Sequence, residues 1–149
     1  MPHFTLQLTQ QSGPVITALF SVSAERRDAL TRANQPIPKE VDIRALVDTG
    51  ASCTCVDPSV IQLLQLTPTG NVPVNTPTTG NDPVDVDQYD VSLIIPGATA
   101  DHSPFYLETL PVLCTDLARQ GIQALIGRDV LKHCILSYNG DMEWFSLSY

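Results

Sequence analysis

A chain of 149 residues, 43% apolar and only 16% charged, is long and apolar enough to bury a core, which excludes a disordered segment. The formal net charge of −8, with no basic cluster larger than Arg26-Arg27, repels a phosphate backbone and argues against nucleic-acid binding. No apolar run reaches membrane-spanning length, and Met1–Thr5 lacks a basic region followed by an apolar stretch; the expectation is one soluble, cytoplasmic domain over 1–149 with no membrane partner.

Phe4–Thr9 alternates apolar and polar residues, with Phe4, Leu6 and Leu8 on one face, and predicts a first strand. Gln10–Pro14 is a turn, and Val15–Val22 a second, apolar strand. Residues 23–39 are polar and charged, with Leu30 the one large apolar residue in the helix-prone Ala24–Ala33; they predict an exposed insertion carrying a short helix. Val41–Val47 is a third strand that drives into Asp48-Thr49-Gly50-Ala51-Ser52. Cys53–Val56 resumes as a strand. Asp57 and Pro58 then suit the N-cap and first position of a helix that ends before Pro68.

Gly70–Pro83, rich in Thr, Pro, Asn and Gly with Val72 and Val74 alternating, reads as a hairpin with its tip near Thr78-Thr79-Gly80-Asn81. Val84–Ile95 and Phe105–Val112 are further strands, and Asp116–Gln120 a helical turn. Ala124-Leu125-Ile126 is an apolar strand that meets Gly127-Arg128-Asp129, with Asp129 expected to cap a short helix running through His133. Ile135–Tyr138 and Met142–Tyr149 form a closing hairpin around Asn139-Gly140. Trp144, Phe145, Leu147 and Tyr149 are expected in a core or dimer sheet, since a terminal strand needs pairing.

The four cysteines, Cys53, Cys55, Cys114 and Cys134, lack zinc-site spacing and read as half-buried free thiols, with no metal and no cofactor. The chemistry concentrates at Asp48. A carboxylate at the mouth of a buried strand is costly unless something uses it. The plain alternative is a turn in which Asp48 accepts local N–H bonds. Paired with a twin, however, the carboxylate gains a function. Two carboxylates in contact cannot both ionise, so the pair holds one proton. One member then takes a proton from water while the other donates to an amide carbonyl. Gly50 permits a tight turn, and its N–H can hold a carboxylate oxygen. Asp-Thr-Gly occurs once in the chain, so a twin has to come from a second chain.

The hydrophobic run through Ala51 and the late Leu125-Ile126-Gly127-Arg128-Asp129 together resemble the two signature segments of retropepsin-like aspartic proteases. The opening Pro2–Leu6 is similar to the edge strand of retroviral members. The Asp57-Pro58 helix, the Thr76–Gly80 segment and the Tyr138-Asn139-Gly140 hairpin are more similar to bacterial cellular ones. The resemblance implies an all-β closed barrel half with short helices after the catalytic loop and after the Gly-Arg-Asp segment. It implies a homodimeric endopeptidase acting on extended peptides. Asp48 would be catalytic, one from each chain, with Thr49 bonding across the pair and Gly50 shaping the loop. Ala51, Ser52, Thr78, Thr79 and Gly80 would meet substrate. Ile126, Gly127, Arg128 and Asp129 would support the loop. Viral members place an Asp where this chain has Ser52, which leaves the partner of Arg128 open between the loop and the interface. The rival expectation is a dimeric peptide-binding module that keeps the fold without catalysis.

Overall fold

The computed structural model describes residues 1–9, 13–75, 83–99 and 102–149. Ten strands and three short helices are described: β1 His3–Gln7, β2 Val15–Val22, α1 Ala24–Arg32, β3 Val41–Val47, β4 Cys55–Val56, α2 Pro58–Leu63, β5 Gly70–Val74, β6 Val84–Ile95, β7 Phe105–Cys114, β8 Ala124–Ile126, α3 Arg128–Leu131, β9 Ile135–Asn139 and β10 Trp144–Ser148. A 3₁₀ turn covers Ala118–Gln120. None of the described helices is long and apolar enough to cross a membrane.

Six strands close a barrel in the order β2-β3-β8-β4-β7-β6, with β6 pairing back onto β2. The strand β5 hangs on β6 outside that ring. Alternation along β2 explains the closure: Ile16, Ala18, Phe20 and Val22 point inward and are buried. They meet Ile43, Ala45 and Val47 of β3, Leu93 and Ile95 of β6, and Ile126 of β8 in one core. Phe20 is fully buried, so truncation to alanine there would cost about 3–5 kcal/mol. A second sheet, β1-β10-β9, is antiparallel throughout and seats Phe4, Phe145 and Leu147 against the same core.

The expected all-β barrel with short helices is therefore present, and several boundaries move. The first strand ends at Gln7, and Leu6, which shares a face with the buried Phe4, is 41% exposed. Cys53 precedes β4 instead of lying in it. Helix α1 forms within the insertion and buries Leu30 alone. Asp57 caps α2 as expected, its side chain accepting from the Ser59 N–H, with Pro58 in the first turn. The closing hairpin turns through four residues, 140–143, because Asn139 is paired with Trp144 and Glu143 takes a left-handed φ of 53°. Met142 thus belongs to the turn, its N–H bonded to Asn139 Oδ1 at 2.9 Å.

Asp129 is not the cap of α3. Gly127 holds that position with an extended backbone and no side-chain cap, and the helix ends at Leu131, short of His133.

Candidate active site

The turn that carries Asp48 is built from β3 and held by β8. These two strands run parallel, with Val47 opposite Ile126, and the chain carries the pairing one step further: the Asp48 N–H donates to Ile126 O at 3.0 Å. Beyond that bond the backbone reverses, and Ala51 N–H reaches back to Asp48 O at 3.3 Å. The Gly50 N–H donates to Asp48 Oδ1 at 2.8 Å. A Cβ at position 50 would sit 3.1 Å from that same oxygen, so a side chain there would crowd the carboxylate and press it to shift by a few tenths of an ångström. Asp48 is half-buried, Thr49 and Gly50 are exposed, and Gly50 is the carboxylate's one hydrogen-bond donor among the described residues. The geometry matches an ordinary Asx turn on one side and leaves the other carboxylate oxygen for an incoming group.

The segment after β8 braces the turn from below. Arg128 N–H donates to Ala51 O at 3.0 Å, and Arg128 Nη1 donates to Thr49 O at 3.0 Å and to Gly50 O at 3.4 Å. Arg128 therefore bonds the loop of its own chain, through backbone carbonyls. Gly127 is buried, and its Cα lies against the strand leaving the turn: a Cβ there would meet Cys53 C and O at 2.5 Å and Thr54 N at 2.9 Å. No side chain fits without moving that backbone.

Asp129 looks across to the same strand. Its Oδ2 accepts from Thr54 N–H at 2.9 Å and its Oδ1 from Thr54 Oγ1 at 2.8 Å. Its Oδ1 also takes the Val130 N–H at 2.9 Å, which satisfies one of the first-turn donors of α3. Thr54 is fully buried, and its hydroxyl oxygen accepts from Gly127 N–H at 3.1 Å. One threonine thus ties β4 to both Gly127 and Asp129. Nothing in the residue type of Thr54, just before β4, marks it as a buried hydrogen-bond hub.

Of the expected site residues, Asp48, Thr49, Gly50 and Ala51 come together with Ile126, Gly127, Arg128 and Asp129. Ser52 is exposed just past the turn. Thr78, Thr79 and Gly80 lie outside the described residues; the hairpin that leads to them is β5 with the start of β6, paired from Gly70↔Gln88 to Val74↔Val84.

Two of the four thiols are disfavoured as nucleophiles by burial. All four are free. Burial, with Cys53 close by, pushes the Cys55 thiol up to about 12, and burial pushes Cys134 to about 11, so both are thiols at neutral pH. No group of three His, Cys, Asp or Glu among the described residues is arranged to hold a metal ion. A wide cavity of about 740 Å³ lies under α1, between Arg27, Lys39 and Tyr106. It shares no residue with the Asp48 turn and is not the site of this chemistry.

A family model described as aspartyl protease matches residues 34–130, about two thirds of the chain, and spans both the Asp48 turn and the Gly127-Arg128-Asp129 segment. No curated protein matches it. The crystal structure of a retropepsin-like aspartic protease from Rickettsia conorii is similar in fold, with a TM-score of 0.60 at 16% identity over 99% of this chain and 90% of that one. With its barrel, its parallel β3–β8 pair and the braced Asp48 turn between them, the chain belongs to the aspartyl protease family and has the retropepsin-like fold.

Proposed function

We propose that the protein is an aspartic endopeptidase whose single active site forms between two copies of the chain, each contributing Asp48. Retropepsin-like proteases act as dimers on peptide substrates. The observation that carries the reading is a half-site. One Asp-Thr-Gly exists per chain, its Asp48 carboxylate receives one protein hydrogen bond among the described residues, and the turn around it is tied down at Ile126 and Arg128. A braced turn fixes a reacting group before substrate arrives, so less entropy is lost in the transition state.

The steps follow from the pair's shared proton. The ionised Asp48 takes a proton from a water held between the two carboxylates, and the oxygen of that water attacks the peptide carbonyl carbon. The protonated Asp48 gives its proton to the carbonyl oxygen, producing a neutral gem-diol. The Asp48 that took the water's proton gives it to the amide nitrogen while the other, now ionised, takes a hydroxyl proton from the gem-diol; the C–N bond breaks, acid and amine leave, and the pair again holds one proton. In this reading Thr49, exposed beside the carboxylate, bonds across to the partner's turn. The β5–β6 hairpin is the base of a flap that closes over the peptide and excludes water. Activity requires one proton on the pair and falls where both carboxylates ionise.

The test compares Asp48→Asn with the unchanged protein on a peptide library. Asn has nearly the same shape and cannot take the proton. The expected result is loss of cleavage by about a thousandfold or more, with circular dichroism and solution mass unchanged. Ordinary cleavage by the variant would remove Asp48 from the chemistry. A folded dimer that binds peptides and never cleaves them, in either form, would favour the binding module.

A further inference from the structure

A second cavity, about 360 Å³, lies between the strand leaving the Asp48 turn, the base of the β5–β6 hairpin, β7 and α3. That volume falls within the range of small-ligand sites. Its walls are chemically divided. Val72, Leu110 and Leu113 give an apolar interior, Cys53 closes the side nearest the Asp48 turn, and Lys132 and His133 stand exposed at the rim. Asp129 also lines it, but both of its oxygens are engaged by Thr54 and Val130. Asp129 keeps its negative charge, with its oxygens turned to those N–H and O–H donors, and the cationic group that stands at the rim is the Lys132 ammonium. In a chain with only eight Lys and Arg and a net charge of −8, a cationic rim over an apolar pocket is locally distinctive.

We propose that this cavity takes a substrate side chain with an aliphatic stem and a carboxylate end, glutamate above all, and so makes the enzyme prefer peptides acidic at one fixed distance from the cleaved bond. The inference rests on the peptidase reading for its occupant, because a peptide running between the Asp48 turn and the hairpin passes the wall formed by Cys53 and Val72. The stem lies on Leu110 and Leu113 and loses water there. The carboxylate stays at the rim, where Lys132 pairs with it without the penalty of full burial. A lysine in the same place would set two ammonium groups against each other.

The test uses randomised peptides in two readouts. In the first, peptides cleaved by the unchanged protein are sequenced. Glu is expected over Lys by about fivefold at one position relative to the cleaved bond, the scale of a rim ion pair, and Lys132→Glu is expected to abolish or reverse that ratio at the same position. In the second, peptides retained by immobilised Asp48→Asn protein are sequenced. The same Glu enrichment is expected, and it is lost when Lys132→Glu is added. Equal Glu and Lys at every position in both readouts, or a preference that Lys132→Glu leaves unchanged, overturns the proposal. Retention with the Glu preference but no cleavage by the unchanged protein would keep the cavity's assignment and overturn the peptidase reading alone.

Discussion

Arg128 Nη1 donates to the carbonyl oxygen of Thr49 at 3.0 Å, and the backbone N–H of Arg128 donates to Ala51 O at the same length, so one residue grips both ends of the turn that follows Asp48. The main-chain bond survives any substitution except proline, whereas the guanidinium bonds do not. Arg128→Met keeps the stem and removes the donors. A hydrogen bond from a charged group to an exposed carbonyl is worth about 1 kcal/mol, so the loss of stability is expected to be of that size. The loss of kcat is expected to be larger, about tenfold or more, because the turn's position matters more to the reaction than to the fold. Urea midpoints beside steady-state kinetics check this. A kcat that falls no further than the stability change implies would leave Arg128 as an ordinary surface contact.

Thr54 carries a sharper expectation. Thr54→Val keeps shape and β-propensity but deletes a hydroxyl that donates to Asp129 and accepts from Gly127. The buried Gly127 N–H then loses its partner, at a cost of about 1–3 kcal/mol, while Asp129 Oδ1 gives up one of its two bonds and keeps the Val130 N–H. Thr54→Ser restores the bonds and loses only a methyl group. Thermal unfolding is expected to rank unchanged protein, Thr54→Ser and Thr54→Val in descending order, with a wide gap before the last. Equal stability of the valine variant would show that these groups find other partners.

Asp57 connects folding to acid. Its carboxylate accepts first from the Ser59 hydroxyl at 2.6 Å, and also from the N–H groups of Ser59 and Leu117, each at 2.9 Å; together they hold it below the usual carboxylate range. A lowered folded-state value means the unfolded chain binds the proton more readily. The stabilisation is therefore present in full above the ordinary carboxylate value of about 4 and is lost as pH falls through the lower folded value. Asp57→Asn cannot titrate. The stability advantage of the unchanged protein over Asp57→Asn is expected to be greatest near about pH 6–7 and to shrink below about pH 4. An advantage that stays constant across that window in urea titrations would contradict the assignment.

Much of the barrel was legible because its strands announce themselves by period. In β2 and β3 inward residues alternate with outward ones, and Ala124-Leu125-Ile126 is a short apolar run between polar segments. The Asp48 turn and the Gly127-Arg128-Asp129 segment were readable as motifs, since tight turns demand particular residue types. What acts through the backbone was not. The partners of Arg128 are carbonyl oxygens, which every residue possesses, and nothing in Thr49 or Gly50 as residue types points to a guanidinium. Asp129 resembles a helix cap because it precedes an apolar turn, but Gly127 holds the cap position and the carboxylate bonds Thr54 as well as the Val130 N–H. Leu6 fits the alternation of its strand and is still 41% exposed, since alternation assigns a face and not a degree of burial.

The central claim is that one site needs an Asp48 from each of two chains. It is tested by mixing unchanged and Asp48→Asn protein in varying proportion, allowing the subunits to exchange, and measuring cleavage. With random pairing only homodimers of the unchanged chain are active, so activity is expected to follow the square of the unchanged fraction, about one quarter at equal amounts. Activity that falls in direct proportion, to about one half at equal amounts, would show that a single chain carries a complete site and would contradict the account.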